Sequence, residues 1–97
     1  MVLPAGVDGV VGALVADVGR QAHVRRHVVE GRVDGVRGVE KCYARKTGLK
    51  YHVDLHLEVD PEMTVRRSHG LGHDVRERIM ESLPWVADVL VHVEPAP

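Results

Sequence analysis

Phenylalanine is absent from this 97-residue chain, and tryptophan and cysteine occur once each. Without large aromatic side chains the core must be assembled from valine, leucine, isoleucine and alanine. Each of these contributes about 1.5–3 kcal/mol when fully buried. A domain of this size leaves much of its surface exposed, so added support from a dimer interface or a metal ion is expected. The lone cysteine, Cys42, excludes an internal disulfide and fits a reducing compartment. An excess of one charge is also missing: 13 basic and 14 acidic residues give a net charge of −1. That balance argues against nucleic-acid binding, which draws on a basic surplus. Arg20, Arg25, Arg26 and Arg32 are interrupted by Glu30 and followed by Asp34, and read as a solvated helix face. No stretch approaches the ~20 apolar residues that span a bilayer. Asp8 and Asp17 occupy the region where a secretory leader would be basic, so the polypeptide reads as soluble. No glycine-rich phosphate loop and no serine-nucleophile motif occurs, and an enzyme is not the reading.

What the chain has instead is histidine, seven times, the residue that most often ligates metals. The segment Tyr51 to Val59 alternates without a break. Tyr51, Val53, Leu55, Leu57 and Val59 fall on one side; His52, Asp54, His56 and Glu58 fall on the other. Strict period-two alternation marks a half-buried β-strand. A second run, Val89 to Glu94, sets His92 and Glu94 on one face in the same way. Two strands bearing both imidazoles and carboxylates favour metal binding over ordinary solvated side chains, since zinc accepts both donor types. On that reading Glu40, Asp54 and His69 are candidates to complete the ligand set, and His52 shares the strand face.

Around these strands the pattern is α-β-β-α-β. Residues 1–9, with Pro4, Gly6 and Gly9, read as a linker, and residues 10–97 as one domain. Apolar positions Val10, Val11, Leu14, Val15, Val18, Ala22, Val28 and Val29 suit an amphipathic helix ending at Gly31. A strand over Val39–Lys46, a turn at Thr47–Gly48 and the strand to Val59 follow. Thr64 is suited to cap a second helix over Val65–Ser82, with Val65, Leu71, Val75 and Ile79 as its stripe and Pro84 as its stop. A last strand covers Ala87–Val93. The order predicts an α+β sandwich with two helices on one face of a three-stranded sheet and the other face open. An open sheet face is a natural dimerisation surface. Trp85 is expected at the sheet edge or a dimer contact, and Cys42, two residues past Glu40, on the polar face of the first strand.

Taken in order, Gly35-Val36-Arg37-Gly38-Val39, the strand Tyr51 to Asp60, Ser68-His69 in a helix and Asp88 to Pro95 resemble the cytoplasmic C-terminal domain of cation diffusion facilitator transporters. The likeness covers about Leu14 to Pro95. It implies a ferredoxin-like, metallochaperone-like fold that follows a membrane region of six helices and pairs as a V-shaped homodimer. It further implies a divalent ion at the dimer interface, zinc before iron, manganese, cobalt or cadmium, that draws the domains together and favours transport. Position by position, His56 matches the family's strand histidine, and His92 with Glu94 matches its final-strand pair, glutamate replacing aspartate. His69 matches a histidine on the second helix, and Asp54 an acidic ligand of the magnetosome-associated members. Glu40 stands where some zinc-binding members carry histidine. The implied partners are a second copy and the transporter's own membrane domain, on the cytoplasmic side. Two other readings use the same residues: a stand-alone metal carrier, and a dimerisation module indifferent to metal. Two further histidine pairs, His69 with His73 and His23 with His27, have helical i, i+4 spacing. The first suits a metal pair, and the second reads as exposed polar helix.

Overall fold

The structure, a computed structural model, describes residues 5–97, with side chains from Val18 onward. Helix α1 runs Ala5–Glu30, strands β1 and β2 run Val36–Thr47 and Lys50–Val59, helix α2 runs Val65–Ser82, and strand β3 runs Val86–Pro95. The α-β-β-α-β order is as the hydrophobic patterning predicts. The sheet order is β1-β2-β3, with β1 antiparallel to β2 and β3 parallel to β2. The parallel pairing needs a crossover, which α2 supplies. Helix α1 packs mainly on β1 and α2 mainly on β3.

Alternation along β2 sends Tyr51, Val53, Leu55, Leu57 and Val59 into the core. They meet Val24 and Val28 of α1, and Val75 and Ile79 of α2. Side-chain burial on α1 differs from the predicted stripe: Val18 and Val29 are exposed, and the core-facing pair is Val24 and Val28. Val10, Val11, Leu14 and Val15 lie outside the residues whose side chains are described. The helix backbone also starts earlier than Val10, passing through Gly6 and Gly9.

On α2 the Thr64 hydroxyl accepts from the Arg67 amide at 3.1 Å, satisfying one of the unpaired first-turn donors. Val65 is exposed, because it precedes the face carried by Leu71, Val75 and Ile79. Gly72 faces β3, where a Cβ would lie in ordinary contact with Val91 Cγ1 at 3.4 Å. At the end of α1 the left-handed residue is Arg32 (φ 48°) rather than Gly31. Gly31 answers a different demand: a Cβ there would stand 2.8 Å from the His27 carbonyl oxygen.

Strand β1 carries two register shifts against β2, one between Val36 and Gly38 and one between Val39 and Lys41. The second makes Glu40 an extra residue: Val39 pairs with Leu57 and Lys41 with His56. A β-bulge of this kind reverses which face the following residues occupy. Cys42 therefore pairs with Leu55 and is buried, which corrects its expected place beside Glu40 on the polar face. The open face is lined by Lys41, Tyr43 and Arg45 of β1, His52, Asp54, His56 and Glu58 of β2, and Asp88, Leu90, His92 and Glu94 of β3. Tyr43 and Leu90 are the large apolar residues exposed on it.

Candidate metal centre on the open sheet face

Three strands each deliver one ligand to a single point. The bulge turns the Glu40 side chain toward β2, parallel register sets His56 beside His92, and Glu94 follows two residues later on the same face. Ligand atoms of Glu40, His56 and Glu94 all lie within 4.8 Å of one another. His56 Nδ1 donates to Glu94 Oε1 at 2.6 Å, with both side chains partly buried. A carboxylate can only accept, so the pair fixes the proton on Nδ1. The His92 ring stacks on His56 with centroids 4.5 Å apart and planes 23° from parallel.

Around a tetrahedral zinc, ligand atoms stand roughly 3.3–3.6 Å apart, given bonds of 2.0–2.2 Å. Glu40, His56 and Glu94 would hold an ion there with the His56 proton moved from Nδ1 to Nε2. One imidazole and two carboxylates form a donor set for a borderline-to-hard divalent cation. The His92 ring, stacked on His56, is the next nearest imidazole to this group.

The remaining residues expected at the site are distributed elsewhere. Asp54 faces Arg45 across the strands at 3.7 Å. It lies about 7 Å from His56 along β2, and His52 about 13 Å, at a rise of about 3.3 Å per residue. His52 is in register with Asp88. Asp88 is bound to Arg76 at 2.7 Å, which, with a hydrogen bond from the Val89 backbone, holds its carboxyl below the ordinary value. His69 is on α2, where its Nε2 stands 3.1 Å from Nε2 of His73.

One contributor escaped the sequence reading. Arg25, taken there as a solvated charge, reaches from α1 to the bulge and donates to the carbonyl oxygens of Val39 at 2.6 Å and Glu40 at 3.3 Å. It anchors the backbone that presents Glu40. Nothing in the spacing of the arginines marks it out, because the contact exists only once the bulge has formed.

The family model described as "Cation efflux protein, cytoplasmic domain" matches residues 18–96. The chain belongs to this family. The cation efflux domain is 31% identical over 90 residues to a "Probable cation efflux system protein" of Mycobacterium tuberculosis, covering 93% of this chain and 25% of that protein. It is 39% identical over 62 residues to "Metal tolerance protein 2" of Oryza sativa subsp. japonica, covering 64% of this chain and 16% of that protein. It thus spans a quarter or less of the length of these relatives. Among solved structures it is similar to the MamM C-terminal domain, with a TM-score of 0.70 and 31% identity over 77% of this chain and 98% of that one. A variant of the same domain has been solved in a cadmium form. The resemblance to cation diffusion facilitators and the ferredoxin-like fold are both borne out. Among the described residues no helix is long and apolar enough to cross a membrane.

Proposed function

We propose that this cation efflux domain is the regulatory cytosolic part of a divalent-cation efflux transporter, with residues 1–9 leading from its membrane region and residues 10–97 binding metal and dimerising. Two copies pair through their open sheet faces. An ion held by Glu40, His56 and Glu94, with His92 beside them, draws the pair closed. Zn²⁺ is the ion we assign, because the imidazole and carboxylate donors suit it and the only thiol is buried away from them. His52 and Asp54 continue the same face along β2, where their side chains add to the field felt by the ion. Closure follows from linkage: an ion that binds the closed pair more tightly than the open pair shifts the population toward closure.

The observation that carries this reading is the convergence of Glu40, His56 and Glu94 from three different strands. The two carboxylates repel each other, and an ion between them would offset that repulsion. Exposed Tyr43 and Leu90 on the same face supply apolar contact area for a second copy. The test is a calorimetric titration of the domain with Zn²⁺, with small-angle scattering before and after. Saturable binding with compaction of a dimer, lost on combining His56→Ala with His92→Ala in a still-folded protein, is the expected result. Binding without compaction would favour a metal carrier, and a dimer that ignores zinc a purely structural module.

A further inference from the structure

The His69 and His73 imidazoles lie on the exposed surface of α2, outside the group formed by Glu40, His56 and Glu94. Their Nε2 atoms are 3.1 Å apart, and the rings meet edge to face with centroids 4.6 Å apart. Helical i, i+4 spacing places the two Cβ atoms one above the other, and here the rings also turn inward so that the same nitrogen of each faces the other. The same spacing at His23 and His27 on α1 has a different outcome, because His23 turns to pack edge-on against Trp85 at 5.6 Å.

Two nitrogens 3.1 Å apart and each about 2.0–2.1 Å from a common ion subtend an angle of roughly 100° at that ion. This lies between the square-planar and tetrahedral angles, so both ligands can bind in cis with little movement. In the ion-free protein one imidazole must donate a proton to the other across that gap. An ion takes both Nε2 lone pairs, and the ring that held this proton carries it on Nδ1 instead. Both rings border an open groove between α2 and β3, where the Arg76 charge is neutralised by Asp88. The scaffold is firm below them: Leu71, Gly72, Val75 and Ile79 are the buried residues of the helix.

We propose that His69 and His73 form a second divalent-cation site, separate from the sheet site and open to solvent. Two neutral imidazoles without carboxylate or thiolate select ions that prefer nitrogen, in the order Cu²⁺ above Ni²⁺ and Zn²⁺, and well above Mn²⁺. The free coordination positions on the solvent side make it a site of fast exchange, able to accept an ion from a small chelator or release it to one.

Cu²⁺ is the probe for the test, followed by electron paramagnetic resonance of the 97-residue domain. In a His56→Ala, Glu94→Gln background, which removes two sheet ligands, the copper signal is expected to show two equatorial imidazole nitrogens. Adding His73→Ala should reduce these to one and weaken affinity about 10²-fold, the loss expected when a second tethered ligand is removed. Alanine is the better helix former, so the helix persists, and circular dichroism confirms it. Unchanged affinity, or a single imidazole signal before His73 is changed, overturns the proposal. Zn²⁺ titration of His73→Ala alone separates the two sites. Retained sheet-site binding supports independence, and its loss shows that His73 belongs to that centre instead. The copper readout stands even if the sheet site binds nothing.

Discussion

The Arg25 guanidinium on α1 holds the carbonyl oxygens of Val39 and Glu40, at 2.6 and 3.3 Å, on the two residues where β1 bulges. A helix that leads toward the N-terminus is thereby tied to the backbone of a metal-ligand candidate. Arg25→Ala should cost about 1.5–3 kcal/mol of stability, the range for hydrogen bonds to a charged group. It should also weaken Zn²⁺ binding, because Glu40 is no longer presented in place. Arg25→Lys keeps the charge without the fork and should restore stability only in part. Thermal unfolding and zinc titration of both variants check this. Equal zinc affinity in all three proteins would mean that the contact braces the fold and does not position Glu40.

The same bulge decides the chemistry of Cys42. Burial pushes its thiol up to about 11 from an ordinary 9.0, only partly offset by the nearby Arg25 charge. The thiol is therefore protonated and unreactive at neutral pH, and alkylation of the native domain should proceed only through unfolding. Because the folded-state value is raised, the folded state holds the proton more tightly. Its stabilising contribution is complete below about 9, and is lost as pH rises toward 11. Denaturant midpoints of the native protein and Cys42→Ala, compared from pH 7 to 11, should converge as pH rises. A constant difference between them would show that the thiol does not titrate in this way.

The strands, their order and the open face were legible because period-two alternation over Tyr51–Val59 is uninterrupted and punctuation by Gly48, Pro61 and Pro84 is strong. The bulge was not legible. Val39, Cys42 and Ala44 all face the core, at spacings of three and then two, which a regular strand forbids. Assuming regularity put Glu40 and Cys42 together, whereas the extra residue keeps Glu40 at the ligand cluster and buries the thiol. The stripe on α1 misled for a related reason. Valines at 18, 28 and 29 look equivalent in composition, but only Val24 and Val28 meet the sheet. The contact of His69 with His73, a helical turn away, follows from their i, i+4 spacing.

Trp85 closes one end of the sheet. Its ring packs edge-on against Tyr51 at 5.6 Å, with the Arg20 guanidinium 4.3 Å from its centroid. Arg20 also stands 5.5 Å from the Tyr51 ring. Arg20 thus joins α1 to the sheet by a cation–π contact, of about 0.5–1 kcal/mol at a partly exposed site. Arg20→Ala should lower stability by that amount and make Trp85 fluorescence more readily quenched by iodide. As the chain's single tryptophan, Trp85 reports on this contact without interference. Unaltered quenching would place the arginine in solvent.

Gly72 offers a substitution whose sign follows from geometry. A Cβ there meets Val91 Cγ1 at 3.4 Å, at the near limit of ordinary contact. Replacing glycine by alanine within a helix gains up to about 1 kcal/mol. Gly72→Ala should therefore be neutral to stabilising, whereas Gly72→Leu should force α2 from β3 and destabilise by about 1–3 kcal/mol, as overpacking does. Denaturant midpoints distinguish them. A clear loss with alanine would show that α2 and β3 have no slack.

Glu94→Gln separates ligation from packing. Glutamine keeps an oxygen that can accept from His56 Nδ1–H, at the 2.6 Å position now held by the carboxylate. The partly exposed pair contributes at most about 1 kcal/mol, so ion-free stability should change little. The negative charge that an ion needs is gone, however. Zn²⁺ affinity should fall by at least about tenfold, the lower bound for losing a supporting partner at a metal site. The measurement is paired: unfolding with chelator present, then zinc titration on the same preparation. Loss of affinity with stability preserved assigns Glu94 to the ion. Loss of both would assign it to the fold, leaving Glu40 and His56 without a third ligand from this chain.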